Sequence, residues 1–577
     1  MQVKILIWLL LPVLFLAACS SGSPVDDPGE NKEPFDPIIA DKPPFTGQPG
    51  EPGFFLDSWT PLQAEIPPHQ PFEKPDGNPV VKVFADTEDI ITKVPPGIFG
   101  NNANIYMGQM VTEPDLLTYI SDLSPNIIRF PGGNISNLYF WNANPGDFPD
   151  DIPKELPDAN GNKSEVYYWP GNNQQSWTIT LDNFYEMLNL TSSTAMITVN
   201  YSYARYGTGP NPVQTAAKLA ADWVRYDNGR TRYWEIGNEN HGTWQSGYLI
   251  DTSTNQDGQP ERISGELYGR HFIVFADSMR AAAAEIGADI KIGAQLLQEH
   301  NESWHSQVDR TWNEGYFTAA GEYADFYIMH DYYTPYNTNS SPDEILNTAA
   351  PVTDNNMKYL NETFERHNAE VKPLAFTEWN IFAVGSNQMV SDISGIHASM
   401  VVGEMLKNSY AMAARWNFAN GWDNGNDHGM FNIGDEPGGI PKWNPRPDFY
   451  HLYFMQRVFG DTMIFSWEQG ENSSDISSYV SLYESGEAGV VIANTGNTGR
   501  LVEVEILNYN PGQKYFWYTI SGGEGEFSRN VTINGKKAHY EAGGPLDYKE
   551  IEARSAETGD GIKLDVPGKS VTYMLIE

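Results

Sequence analysis

Two glutamates stand out because each ends an apolar run and has an asparagine close by. Glu239 follows Asn238 in WEIGNENHGTW (Trp234 to Trp244), and Glu378 lies in PLAFTEWN (Pro373 to Asn380). Cleavage of a glycosidic bond needs one carboxyl group that can donate a proton and a second that can attack carbon or activate water. A third glutamate, Glu235, lies four residues before Glu239 and inside the apolar part of its run. There it reads as a buried, paired scaffold residue.

Such a pair needs elements that bring it together. Eight short apolar runs alternate with helical patterns between about residues 95 and 420: around Ile98, Asn126–Phe130, Ala195–Tyr201, Arg232–Asn238, Lys291–Leu297, Asp325–His330, Pro373–Trp379 and Ala413–Phe418. Stretches such as Val213–Tyr226 and Gly269–Gly287 repeat apolar residues at the helix period. The expected class is therefore α/β, a (β/α)8 TIM barrel, followed by an antiparallel β-sandwich. An open doubly wound sheet is the alternative, but no Gly-rich loop opens a helix after the first strand. In such a barrel, chemistry sits at the C-terminal strand ends. Those ends carry Arg129, Asn200, Asn238 with Glu239, His330 with Tyr332, Glu378 and Trp416. Strands four and seven face each other across the mouth, so Glu239 and Glu378 can meet there.

From about Tyr450 the runs become short and alternating, separated by Gly, Asn and Ser, as in a sandwich. The early run Val80–Asp86 is positioned to complete that sandwich. The expected division is residues 79–450 for the barrel and 451–577 for the sandwich. Residues 1–19 read as a lipoprotein signal peptide and 20–78 as a disordered tether and N-terminal extension.

The ordered set RFPGGN, WEIGNEN and TEWN resembles the clan of retaining glycosidases built on this barrel. The longer run RWNFANGWDNGNDHGMF (Arg415 to Phe431) is similar to glycoside hydrolase family 86, the endo-acting β-agarases and β-porphyranases. The resemblance covers roughly residues 80–577. It implies that Glu239 is the acid/base, Glu378 the nucleophile, and Asn238 a ligand of the neighbouring sugar hydroxyl. It also implies that Arg129 keeps Glu378 ionised, that His330 or Tyr332 orients Glu378, and that Trp416 floors the site. Trp244, Trp379, Trp141 and Trp422 are either sugar platforms or packing residues. The substrate implied is an internal β-1,4 bond of a red-algal galactan, agarose or sulfated porphyran. Two rivals share parts of the pattern: an exo-acting arabinofuranosidase-like hydrolase and a non-catalytic glycan-binding lipoprotein.

Composition bears on partners. Sixteen Trp and 31 Tyr supply flat rings suited to sugars, although a large core also uses them. A net charge of −39 disfavours nucleic acid, anionic lipid and, mildly, densely sulfated substrates. No cofactor and no metal are expected. DNGNDHG (Asp423 to Gly429) has His428 where a helix-loop-helix calcium site needs Gly. Leu16-Ala-Ala-Cys19 resembles a lipobox, and Cys19 is the only cysteine, so no internal disulfide forms. The expectation is a monomeric lipoprotein of the outer membrane or cell surface that meets the membrane only through its lipid.

Overall fold

The computed structural model describes residues 38–577 apart from 125 and 301. Cys19 and the first part of the tether lie outside the described residues. Residues 40–577 form one compact unit.

All eight expected runs are strands of one closed, parallel barrel. They are β1 (Gly100–Asn102), β2 (Ile127–Phe130), β3 (Thr194–Val199), β4 (Tyr233–Ile236), β5 (Lys291–Gln295), β6 (Phe326–Tyr332), β7 (Leu374–Asn380) and β8 (Met412–Arg415). The last pairs with the first, Ala414 opposite Gly100, and closes the ring. Every residue of β7 is buried, as expected for strands covered inside by side chains and outside by helices. The helix after β3 runs Pro212–Asp227, with proline in its first turn and Asn228 left-handed at its C-cap. The helix expected from Gly269 begins at Gly265, because Ser264 caps it through the Leu267 amide.

The second layer is an eleven-stranded sheet, mostly antiparallel. The strand Val81–Lys93 joins it, antiparallel to Thr462–Gly470 and parallel to Arg500–Leu507. The expected sandwich thus carries parallel pairs as well, a second being His69–Pro71 with Ala553–Ser555. Val83, Val490, Ile492 and Trp517 are among its core. The boundary expected after residue 450 falls inside a helix, Pro447–Val458. That helix faces both layers: His451 Nδ1 lies 2.7 Å from Tyr573 Oη, which also meets Ser399 of the barrel's last long helix.

The tether expected to be disordered is, in its described last part, docked, and so is the N-terminal extension after it. Gln48 donates its backbone N–H to Asn408 Oδ1 at 2.6 Å, and Phe45 packs edge-on against Phe465. Phe55, 3% exposed, stacks on Tyr233 of β4 at 4.5 Å and meets Phe326 of β6 edge-on. With Ile127, Met196, Ala375 and Met412 it closes the N-terminal end of the barrel. Proline and glycine dominate this segment's composition, yet its few phenylalanines bury enough apolar surface to dock it.

Candidate active site

Glu378 sits in β7 and Glu239 just past β4, both at the C-terminal mouth. An oxygen of each, together with a ring nitrogen of His330, lie within 4.8 Å of one another. Glu239 has a left-handed backbone, φ +45°, which costs about 1–2 kcal/mol for a residue with a Cβ. The surroundings hold it there. Asn240 donates its N–H to Gln295 Oε1 of β5 and its side-chain amide to Ser202 and Asn137.

Each carboxylate has its own donors. Tyr332 Oη donates to Glu378 Oε1 at 2.7 Å, and Arg129 Nη1 reaches Oε2 at 3.3 Å. Glu239 Oε2 accepts from Trp244 Nε1 and Gln245 Nε2, each at 3.1 Å. His330 Nδ1 lies 3.1 Å from Glu239 Oε1 and 3.7 Å from Glu378 Oε2, while its Nε2 meets Thr377 Oγ1 at 3.0 Å. A register shift between β6 and β7, where Met329 pairs with Phe376 and the next residue His330 with Glu378, leaves Thr377 of β7 as the extra residue and sets His330 opposite Glu378.

Arg129 is fully buried and divides its donors. Nε goes to Glu235 at 2.6 Å, Nη1 to Asn102 and Glu378, and Nη2 to Asn238 Oδ1 at 2.8 Å. Glu235 is also buried and accepts from Thr198 as well. Because a guanidinium only donates, Asn238 must turn its oxygen towards Arg129. Its buried amide nitrogen is left without a protein partner. A substrate hydroxyl at that point would satisfy it.

Burial opposes charge on both catalytic candidates. On Glu239 it is outweighed by the hydrogen bond and charge of His330, then by His241 and the Trp244 indole, and the carboxyl is held down to about 2. On Glu378, burial and then the negative charge of Glu239 prevail over His330, Arg129 and Tyr332 and push the carboxyl up. The two titrate as a pair. Their directions, Glu239 down and Glu378 up, are the reverse of the order that the family resemblance implies for a bound substrate.

Trp416 lies over the RFPGGN turn and is half-buried. Gly133, at φ +48° and ψ −154°, passes so close beneath it that a Cβ there would lie 2.5 Å from the ring. The motif's paired glycines make room for this indole.

Other expected residues fall elsewhere. Trp379 is 2% exposed and packs edge-on against Tyr333, so it is wall and not platform. Trp141 stacks on Trp223 and donates to Leu219 O, also in the core. Both fail as platforms because the strand and loop turn them away from the mouth. Trp244 stands 59% exposed beside Glu239. Trp422 is half-buried, with Arg446 and Arg529 against its ring at 5.8 and 5.5 Å. Of the two residues expected to orient Glu378, His330 or Tyr332, His330 lies closer to Glu239. Tyr332 makes the Glu378 contact. The sequence did not single out Gln245, which bridges Glu239 and Asn134; its only signal is its place directly after Trp244.

Among the described residues, Glu239, His330 and Glu378 are the group spaced to hold a metal ion. The fixed guanidinium of Arg129 and the donors already on three of the four carboxylate oxygens suit a proton-sharing pair better. In the DNGNDHG loop the Arg446 guanidinium bridges Asp427 and Glu436 in full burial.

Solved structures share this architecture over most of the chain. An α-L-arabinofuranosidase from Thermotoga maritima, as its arabinose complex, aligns with a TM-score of 0.59 at 17% identity, over 86% of this chain and 100% of its own. The thermostable GH51 α-L-arabinofuranosidase from Thermotoga petrophila RKU-1 gives 0.61 at 17% identity, over 86% and 100%. A Paenibacillus polymyxa xyloglucanase from glycoside hydrolase family 44 gives 0.54 at 11% identity, over 86% and 99%. The chain therefore has the fold of these glycoside hydrolases, barrel and sheet together. No protein-family model matches the sequence, and a search of curated proteins returns no match.

Proposed function

We propose that this chain is a retaining, endo-acting glycoside hydrolase that cuts β-1,4 bonds of a red-algal galactan, agarose before porphyran. The observation that carries the retaining reading is the spacing of Glu239 and Glu378, whose oxygens lie within 4.8 Å. Retaining pairs stand about 5–5.5 Å apart, whereas inverting pairs leave about 6.5–9.5 Å for a water molecule. The galactan reading rests on the similarity of Arg415–Phe431 to family 86. Exposed rings on several mouth loops, Trp244, Trp304 and Tyr336, support a chain-like substrate.

In this reading Glu239 protonates the departing oxygen while Glu378 attacks the anomeric carbon. Glu239, now ionised, then draws a proton from water. The proton must therefore stand on Glu239 when substrate is bound. The unpartnered Asn238 amide takes the adjacent hydroxyl, and Trp416 lies under the ring. We place the enzyme at the cell surface on a lipid carried by Cys19, acting as a monomer without a cofactor.

The test is the wild-type protein on agarose and porphyran side by side, with product sizes resolved and the first-formed anomer read by NMR. Oligomeric products of β configuration are expected. An initial α anomer defeats the retaining mechanism, and inactivity on both polymers defeats the substrate class. An arabinofuranoside substrate run in parallel addresses the activity named for the Thermotoga structures. Roles separate by azide rescue: Glu239→Ala should yield the retained glycosyl azide and Glu378→Ala the inverted one.

A further inference from the structure

The loops after β4 and β5 carry rings in unbroken series away from Glu239. Trp244 donates to that carboxylate, and His241 packs edge-on against Trp244 at 5.8 Å. His300 follows at 6.2 Å, His305 at a further 4.2 Å, and Trp304 at 3.8 Å from His305. The row ends as it begins, on an indole left to solvent: Trp304 is 77% exposed and Trp244 59%. Leaving two indoles uncovered forgoes the burial that large rings ordinarily gain, which is the usual mark of a surface kept for a ligand.

The imidazoles between them are set for hydroxyl groups. His300 Nδ1 faces Gln298 O at 2.6 Å and must donate, which leaves Nε2 as an acceptor when the ring is neutral. His305 Nδ1 accepts the Glu302 N–H at 3.1 Å, so its proton is on Nε2, a donor. Burial, the largest influence on each ring, lowers His300 to about 4 and lowers His305 as well. Neighbouring rings thus offer one acceptor and one donor, the two halves of what a sugar hydroxyl needs. Arg310 stands beside His305, but Glu302 and Asp309, the latter paired with His241, outnumber it and leave no excess positive charge for a sulfate.

We propose that Trp244, His300, His305 and Trp304 form the shelf for the departing side of the substrate chain and take uncharged sugars. The assignment rests on the proposed role of Glu239, because a proton donor must touch the bridging oxygen. Whatever flanks it on the side away from Glu378 then meets the sugar that leaves.

The experiment is steady-state kinetics and product sizing of Trp304→Ala, Trp304→Phe and Glu239→Gln beside wild type, on whichever of agarose and porphyran the wild type cleaves. Trp304→Ala should raise KM about tenfold, the equivalent of one lost ring–sugar stack, and shift the product sizes. Trp304→Phe should recover most of the loss. If Trp304→Ala matches wild type within twofold with the same products while Glu239→Gln is inactive, the shelf is wrong and the glycosidase reading stands. If neither polymer is cleaved, or Glu239→Gln stays active, that reading fails and takes the shelf with it.

Discussion

Arg129 and Glu235 form a fully buried ion pair at 2.6 Å directly beneath the two mouth glutamates. The pair sets how much positive charge Arg129 has to spare for Glu378, so Glu235 acts on the site without touching substrate. Glu235→Gln should leave that charge uncompensated and lower the Glu378 carboxyl. The alkaline limb of kcat/KM should then move to lower pH, with a loss of about 3–5 kcal/mol in stability from breaking a buried pair. Thr198→Val, which removes only the hydroxyl that donates to Glu235, should show the same direction with a smaller loss. An unmoved limb in both variants would assign Glu235 to packing alone.

Tyr332→Phe should move the same limb the other way. The Tyr332 hydroxyl stabilises the charged form of Glu378, whose carboxyl is already raised by burial and by Glu239. The active pair holds one proton, and activity is lost as pH rises through the upper ionisation. Removing the hydroxyl raises that ionisation further, so the limb moves to higher pH. The rate should fall roughly 10²-fold as the attacking carboxylate loses its donor. A pH–rate profile of the two variants, read together, checks both signs.

Gly133→Ala should cost activity as well as stability. A Cβ at that position meets the Trp416 ring at 2.5 Å and also occupies a backbone conformation that alanine adopts poorly. The indole must tilt, displacing the floor of the site. A drop of at least tenfold in kcat/KM is expected, with a thermal midpoint lowered only by the roughly 1–3 kcal/mol that this backbone conformation costs alanine. Kinetics like those of the wild type would mean Trp416 does not contact substrate.

Phe55→Ala tests the strap across the barrel base. Removing a ring stacked on Tyr233 and edged by Phe326 should cost about 3 kcal/mol, seen as a lower urea midpoint. The mouth lies at the opposite end, so kcat/KM measured well below the midpoint should stay near wild type.

The barrel was legible because parallel strands buried on both faces must be apolar runs, and their polar ends fall at the mouth. Glu239, Glu378, Arg129 and Asn238 could be found this way, since each lies at or next to a strand end. The direction of a side chain was not. Trp379 follows Glu378 on the same strand and therefore faces the helices. His330 sits opposite Glu378 only because β7 carries an extra residue, Thr377, beside it. Trp304 and Gln245 lie on loops whose path no periodicity encodes. The docked phenylalanines near residue 50 were masked by the prolines and glycines around them.

The strand Val81–Lys93 comes before the whole barrel yet lies between Thr462–Gly470 and Arg500–Leu507. Its partners leave the ribosome several hundred residues after it does. Until they arrive, its edges stay unpaired while the barrel between them can already close. Synthesis thus imposes an order, barrel before sheet, and the sheet forms by closing a loop that contains the catalytic unit. A chain cut between the barrel and Thr462 would leave that first strand without either partner, as an edge open to pairing with a second copy.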